Sequence, residues 1–238
     1  MHSGLSVGRR GEQHLPCGDA AGASPAIREE GGMYARSTTV QADPQRIDDG
    51  IAYIRDEVMP AVTTMPGCMG LSMLCDRDSG RCIVTTSWDS EESMSASRDA
   101  VRAMREQSAD VMGGRFDVQE WEIALLHRAH QAPEGAWCRV TWSRGDAARM
   151  DELTETFRTG IVPRLDEIPG FCSVSLMGDR QTGMSVLTAT YDDRSSLDGS
   201  AETVRGMRDR FTQETGSEVT EMAEMELAIH HLRVPEMA

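Results

Sequence analysis

Along the pattern of apolar and polar positions, Tyr34–Gln41 reads as a strand. Next, Ile47, Ile51, Ile54 and Val58 recur at helical spacing and stripe one face of a helix that Pro60 ends or loosens. Met69, Leu71 and Met73 alternate with Gly70 and Ser72 in a second strand, Cys68–Cys75, and the turn Asp76–Gly80 returns it as a third, Arg81–Trp88. Asp89 or Ser90 then caps a second helix, with Met94, Val101 and Met104 on its buried face and Glu91 and Glu92 at its positive end. Phe116–His127 reads as the last strand, so the order is β-α-β-β-α-β, the split-βαβ arrangement.

The same pattern returns 103 residues later, from Met59-Pro60 to Val162-Pro163. Met65-Pro66-Gly67 becomes Ile168-Pro169-Gly170, Asp76-Arg77 becomes Asp179-Arg180, and Trp88-Asp89 becomes Tyr191-Asp192. After one inserted residue, the strand from Glu120 to His127 matches the one from Glu224 to His231. Two homologous modules are therefore expected, residues 33–131 and 136–238, joined by a linker at 132–135. Residues 1–32 are rich in Gly, Ala, Ser and Pro without any period, so a disordered N-terminal tail is expected there. Within it, Gly4-Leu5-Ser6-Val7-Gly8 matches the hydrolase nucleophile elbow in letters only, since no strand precedes it and no helix follows.

Composition narrows the chemistry. The 24 basic residues are all Arg and face 39 acidic ones, giving a net charge of −15 that opposes nucleic-acid binding. With no Lys and no Asn, a Schiff-base lysine, a phosphate-loop lysine and any Asn-dependent constellation are excluded. No apolar run is long enough for a membrane span and no secretory core is seen, so neither membrane nor nucleic acid is expected as a partner, and a cytoplasmic location is. The six Cys lack C-x-x-C spacing and read as small buried hydrophobes.

At this point the sequence resembles the antibiotic-biosynthesis-monooxygenase (ABM) domains of the dimeric α+β barrel superfamily, most of all two-repeat members in high-GC bacteria. The resemblance rests on the Pro-Gly before the second strand, the hairpin, the helix entry Trp88-Asp89-Ser90-Glu91-Glu92 and the Glu-x-Glu-apolar last strand, from residue 33 to near residue 233. It implies an α+β fold in which two tandem ferredoxin-like βαββαβ modules form an intrachain dimeric α+β barrel. This intrachain pseudo-dimer leaves room for further homo-oligomerisation. The family includes cofactor-free oxygenases of polycyclic aromatics and haem-degrading enzymes. Haem-degrading members resemble one another in an Asn, a Trp and a His ligand; the corresponding places here hold Ser37 or Thr38, Ser97, and Arg105 or Glu106, with Ser200 and Arg208 in the second module. No haem or other cofactor is expected.

Glu120 and Glu122, echoed by Glu224 and Glu226, lie two apart and share a strand face, as acid–base pairs or cation ligands would. In the ferredoxin-like strand order the first strand neighbours the last, so Arg36 is expected to pair with Glu120 or Glu122 and Arg139 with Glu224 or Glu226, as structural ion pairs on the barrel side of the sheet. His127 and His231 end the last strands, where each serves as a base near a pocket or as a strand-end cap. His230 and His231 are adjacent and point to opposite faces, so no metal site is expected. Trp88 and Tyr191 close the third strands, where family members place an aromatic beside a pocket between helices and sheet. Cys75 and Cys82 flank the hairpin turn, with a disulfide disfavoured in a reducing compartment. Trp88, His127, Tyr191 and His231 are thus the ligand-pocket candidates, and the catalytic residues are left open. Two functions follow: an apolar or aromatic small molecule bound in one pocket per module, with cofactor-free oxygenase chemistry on an aromatic or quinone-like compound, or a structural or protein-interaction module without catalysis. Pockets of about 300 Å³ or more favour the first.

Overall fold

The computed structural model describes Met1 and residues 32–232. The tail expected at 1–32 lies, apart from Met1 and Gly32, outside the described residues, as does the Gly4–Gly8 match.

The first half of the chain runs β1 Met33–Gln41, α1 Ile47–Tyr53, α2 Met59–Thr63, β2 Cys68–Asp76, β3 Arg81–Trp88, α3 Glu91–Ala96, α4 Arg98–Met112 and β4 Arg115–Arg128. The second runs β5 Trp137–Arg144, α5 Met150–Gly160, α6 Val162–Leu165, β6 Phe171–Asp179, β7 Met184–Tyr191, α7 Arg194–Thr215 and β8 Glu218–Leu232. The strands close into one antiparallel barrel in the order β1-β3-β2-β8-β5-β7-β6-β4. Each half keeps the ferredoxin-like order 4-1-3-2, and the barrel closes because β4 pairs with β6 and β8 with β2. The long last strands make this closure: Arg36 lies opposite Glu120, whereas a few residues on His127 lies opposite Val174 of the other half.

Local chemistry fixes the turns. Asp76 accepts from the Asp78 N–H at 3.0 Å, and Asp179 accepts from the Gln181 N–H at 2.8 Å. Both hairpins end on a left-handed glycine, Gly80 at φ 78° and Gly183 at φ 70°. A Cβ on Gly80 would meet the Ala42 carbonyl oxygen at 2.3 Å, so only glycine lets the turn pack against the end of β1. Ser90 caps α3 by accepting from the Ser93 N–H, and its counterpart Asp193 caps α7 by accepting from the Ser196 N–H.

Pro60 loosens its helix without ending it. Residues Ile54–Val58 widen into a π-helical turn in which the Met59 N–H reaches the Ile54 carbonyl, and α2 then continues through the proline, which has no N–H to place. At the corresponding place in the second half, α5 stops at Gly160 and α6 restarts with Pro163 in its first turn.

Both faces of the sheet are buried. Ala35, Trp121, Ile123, Cys138, Val140, Trp142 and Met225 share the barrel interior. On the outer face, Val40, Leu71, Met73 and Trp88 pack under α1, α2 and α4, and Phe171, Val174, Ala189 and Tyr191 pack under α5, α6 and α7. This arrangement corrects the expected side of the arginines. Arg36 and Arg139 leave the sheet toward the helices, because the interior face is taken by the apolar set that alternates with them, and on the helix side a helix carbonyl, a serine hydroxyl and a strand carboxylate satisfy each buried guanidinium.

Candidate functional site

Arg36 is 2% exposed and Arg139 7%. The Arg36 Nε donates to Glu120 Oε1 at 2.9 Å, Nη1 to Ser97 Oγ at 2.9 Å and Nη2 to the Met94 carbonyl at 2.7 Å. Arg139 repeats the pattern, with Nη2 to Glu224 Oε1 at 3.1 Å, Nη1 to Ser200 Oγ at 3.0 Å and Nη2 to the Leu197 carbonyl at 3.1 Å. Each arginine thus ties the first strand of its half to the last strand and to the second helix, with all three guanidinium nitrogens engaged and, among the described residues, one Nη1 N–H left over. Burial pushes the Glu120 carboxyl up, but the hydrogen bond and charge of Arg36, reinforced by Arg98, outweigh it and hold the group below its ordinary value.

Glu122 and Glu226 do not join these networks. Glu122 meets Arg180 at 2.8 Å and Glu226 meets Arg77 at 2.7 Å, in each case the hairpin arginine of the other half. The reason is the path of the last strand: Glu122 already lies opposite Gly178 of β6, so its side chain reaches the neighbouring half. Arg180 also holds Asp151 at 2.6 Å, and Arg77 holds Asp48 at 2.8 Å.

Between the sheet and helices α5 and α7 lies a cavity of about 130 Å³. Leu153, Phe157, Leu187, Val204 and Phe211 supply apolar walls, and Arg139 and Thr141 reach it from β5. The matching cavity in the first half, which Arg36 and Thr38 reach from β1, is about 40 Å³. The expectation of one pocket per module is thereby corrected to one open and one nearly filled, and both fall short of the about 300 Å³ expected of a full-sized ligand pocket. The neighbouring helix contact also differs between the halves. In the first half Gly50 makes room for the fully buried Met112, whose Cγ is 2.4 Å from where a Cβ would sit, while the second half has Leu153 and Thr215 at those positions.

Trp88 and Tyr191 do not line either cavity. Both are fully buried, among the largest side chains in the two helix-facing cores, because the strand end they close is sealed by the following helix. Trp88 Nε1 donates to Thr86 Oγ1 at 3.1 Å. The Tyr191 hydroxyl is, among the described residues, the one buried side-chain polar atom without a hydrogen-bond partner, and burial raises its pKa against the lowering influence of Ser200 and Arg139. His127 is likewise outside the cavities: it stacks on Phe171 and bonds Asp166 at 2.7 Å. His231 borders a different space, the end of the barrel interior.

Sequence reasoning missed a cluster in which His130 Nε2 and Cys172 Sγ both contact Asp192 Oδ1, at 2.7 and 3.2 Å. These three offer ligand atoms within 4.8 Å of one another, and burial, followed by the hydrogen bond to Asp192, pushes the Cys172 thiol up. No sequence spacing announces it, since its members come from the inter-half connection, β6 and the segment between β7 and α7. Cys75 and Cys82 lie opposite each other with sulfurs 3.5 Å apart and are both free thiols.

Comparison with known proteins agrees with this geometry. Residues 33–107 match the family model described as antibiotic biosynthesis monooxygenase. Two Mycobacterium tuberculosis H37Rv proteins, Rv2557 and Rv2558, both described as uncharacterised, are 43% identical over 221 residues, covering 92% of this chain and 99% and 94% of theirs. Among solved structures, an anthrone oxidase-like protein superposes with a TM-score of 0.61 at 13% identity over 88% of this chain and 97% of its own. A monooxygenase-like protein from Listeria innocua gives 0.52 at 9% identity over 82% and 94%. At such identities these two establish shared fold alone. The repeat, the closed barrel, the family match and the full-length mycobacterial relatives together show that the chain belongs to the ABM-like family, as a two-module barrel in a single polypeptide.

Proposed function

We propose that the chain binds a single-ring aromatic or quinone-like compound in the cavity between β5–β7 and helices α5 and α7, and acts on it as a cofactor-free monooxygenase. The observation that carries this reading is the cavity itself, about 130 Å³ with apolar walls and the Arg139 guanidinium beside it. An apolar protein cavity of about 150 Å³ takes up benzene, so the size suits one ring and falls short of a polycyclic ligand.

Arg139 would do the electrostatic part. Its guanidinium is held by Glu224, Ser200 and the Leu197 carbonyl, so it keeps its position while charge develops on a bound phenolate or carbanion. In the proposed step a bound phenol reacts through its keto tautomer, whose ring methylene loses both protons and gives four electrons to dioxygen; one oxygen atom enters as the second carbonyl of a quinone and the other leaves as water.

A second reading has its own support. The first half keeps the fold and the Arg36 network with its cavity reduced to about 40 Å³, as a retained scaffold would. Thermal shifts against phenols, hydroquinones, naphthoquinones and haem, followed by dioxygen-uptake measurements, separate the two. Stabilisation by a single-ring compound with dioxygen uptake supports the oxygenase; stabilisation without uptake supports binding alone; no stabilisation by any of them overturns the proposal and favours the scaffold.

A further inference from the structure

Where β4 and β8 end, the barrel interior opens into a cavity of about 300 Å³ whose lining differs from that of the helix–sheet cavities. The deeper interior is apolar, built on Trp121, Val140, Trp142 and Met225. This end is not. Ser72, Thr85 and Ser87 of the first half and Ser175, Thr188 and Thr190 of the second, equivalent positions of the repeat, face it from β2, β3, β6 and β7. The Thr190 hydroxyl contacts Cys138 Sγ at 3.3 Å, and among the described residues the other five hydroxyls bond no protein group.

An arginine and a histidine join them at positions where the repeat is broken. His230 lies opposite Ser72 and takes the place that Leu126 has in the first half, while Arg128 lies opposite Ser173. Both line the cavity, and among the described residues neither has an acidic partner. By contrast, the arginines that tie the strands and the two halves together, Arg36, Arg77, Arg139 and Arg180, are all paired with carboxylates. Although acidic residues outnumber basic ones 39 to 24, none of the described lining residues is Asp or Glu. A half-buried unpaired guanidinium beside a ring of free hydroxyl donors, with carboxylates excluded, is the recognition chemistry of a small oxyanion.

We infer that this end of the barrel is a binding site for a small oxyanion, a carboxylate or phosphate bearing several oxygen acceptors, held by Arg128 and His230 and oriented by the paired Ser and Thr hydroxyls. The site is independent of the aromatic-binding cavity. Calorimetric titration of the full chain at low ionic strength with citrate, inorganic phosphate and glucose tests it. Saturable one-to-one binding of citrate or phosphate, weakened about tenfold or more by Arg128→Gln and by His230→Leu, is expected, since a hydrogen bond to a charged group is worth that much. Citrate alone marks a carboxylate site, phosphate alone a phosphoryl site, and both a general oxyanion site. Leu153→Trp, which obstructs the other cavity, leaves anion binding unchanged. Failure of both anions to bind below about 10 mM, glucose binding as tightly as either anion, or unaltered binding by variants that melt like the parent chain overturns the inference.

Discussion

Arg180, in the hairpin turn after β6, donates from Nη2 to Glu122 Oε1 of β4 at 2.8 Å, and so joins the two halves of the chain. Arg77 and Glu226 form the equivalent contact at 2.7 Å on the other side of the barrel. Both pairs are partly exposed, so each contributes under about 1 kcal/mol and is screened by salt. Arg77→Gln and Arg180→Gln together are expected to lower the melting temperature by a few degrees at low ionic strength. In about 1 M salt, where the screening length falls to about 3 Å, the difference from the parent chain should vanish. A loss independent of salt would contradict the ion-pair origin.

The stability supplied by Glu120 carries a pH signature. Its folded pKa is lowered, so its contribution is present above the ordinary carboxylate range and is lost as pH falls through the lower folded value. Glu120→Gln therefore costs stability near neutrality, and the gap in melting temperature between it and the parent chain closes as pH is lowered from about 6 to about 3. A gap constant over that range would mean that the carboxylate charge is not what Arg36 needs.

Tyr191→Phe removes the hydroxyl that is buried without a hydrogen-bond partner. Deleting an unsatisfied polar atom while keeping the ring is expected to leave stability unchanged or raise it by up to about 1 kcal/mol. Chemical denaturation of the two proteins decides this; a loss of more than about 1 kcal/mol would show that the hydroxyl is bonded in solution.

Separated halves should not behave as native monomers. In the barrel β2 pairs with β8 and β6 with β4, so residues 33–131 or 136–238 alone expose two long strand edges. Each fragment expressed alone is expected to self-associate or to melt without cooperativity. Monomeric fragments with a native-like transition would refute the fused barrel.

Much of this architecture is legible in the sequence, and the limits are physical. The repeat and the two apolar periods give the strand order, and that order brings Arg36 to Glu120 and Arg139 to Glu224 because first and last strands are neighbours. Alternation alone does not say which face of the sheet is which when both are buried, one by the barrel and one by helices, and so the arginines fall on the unexpected side. The partners of Glu122 and Glu226 depend on where the last strand crosses into the other half, a property of closure that neither half contains alone. The unequal cavities, like the packing of Met112 over Gly50, depend on contacts between helices that no strand or helix period encodes. The hydroxyls of the barrel end read as ordinary alternating strand residues until closure aims both sets at one space.

The most direct test of the proposed function is an equilibrium titration of methylhydroquinone into the full chain and into Leu153→Trp. Leu153 is half-buried on α5 and lines the cavity, so the larger ring is accommodated by the fold while filling the space a ligand would use. Saturable binding to the parent chain that falls about tenfold or more in the variant, the loss of about 1.4 kcal/mol of contact, is the result expected of a binding cavity. Binding that is absent, or that Leu153→Trp leaves unchanged at an unaltered melting temperature, would contradict it.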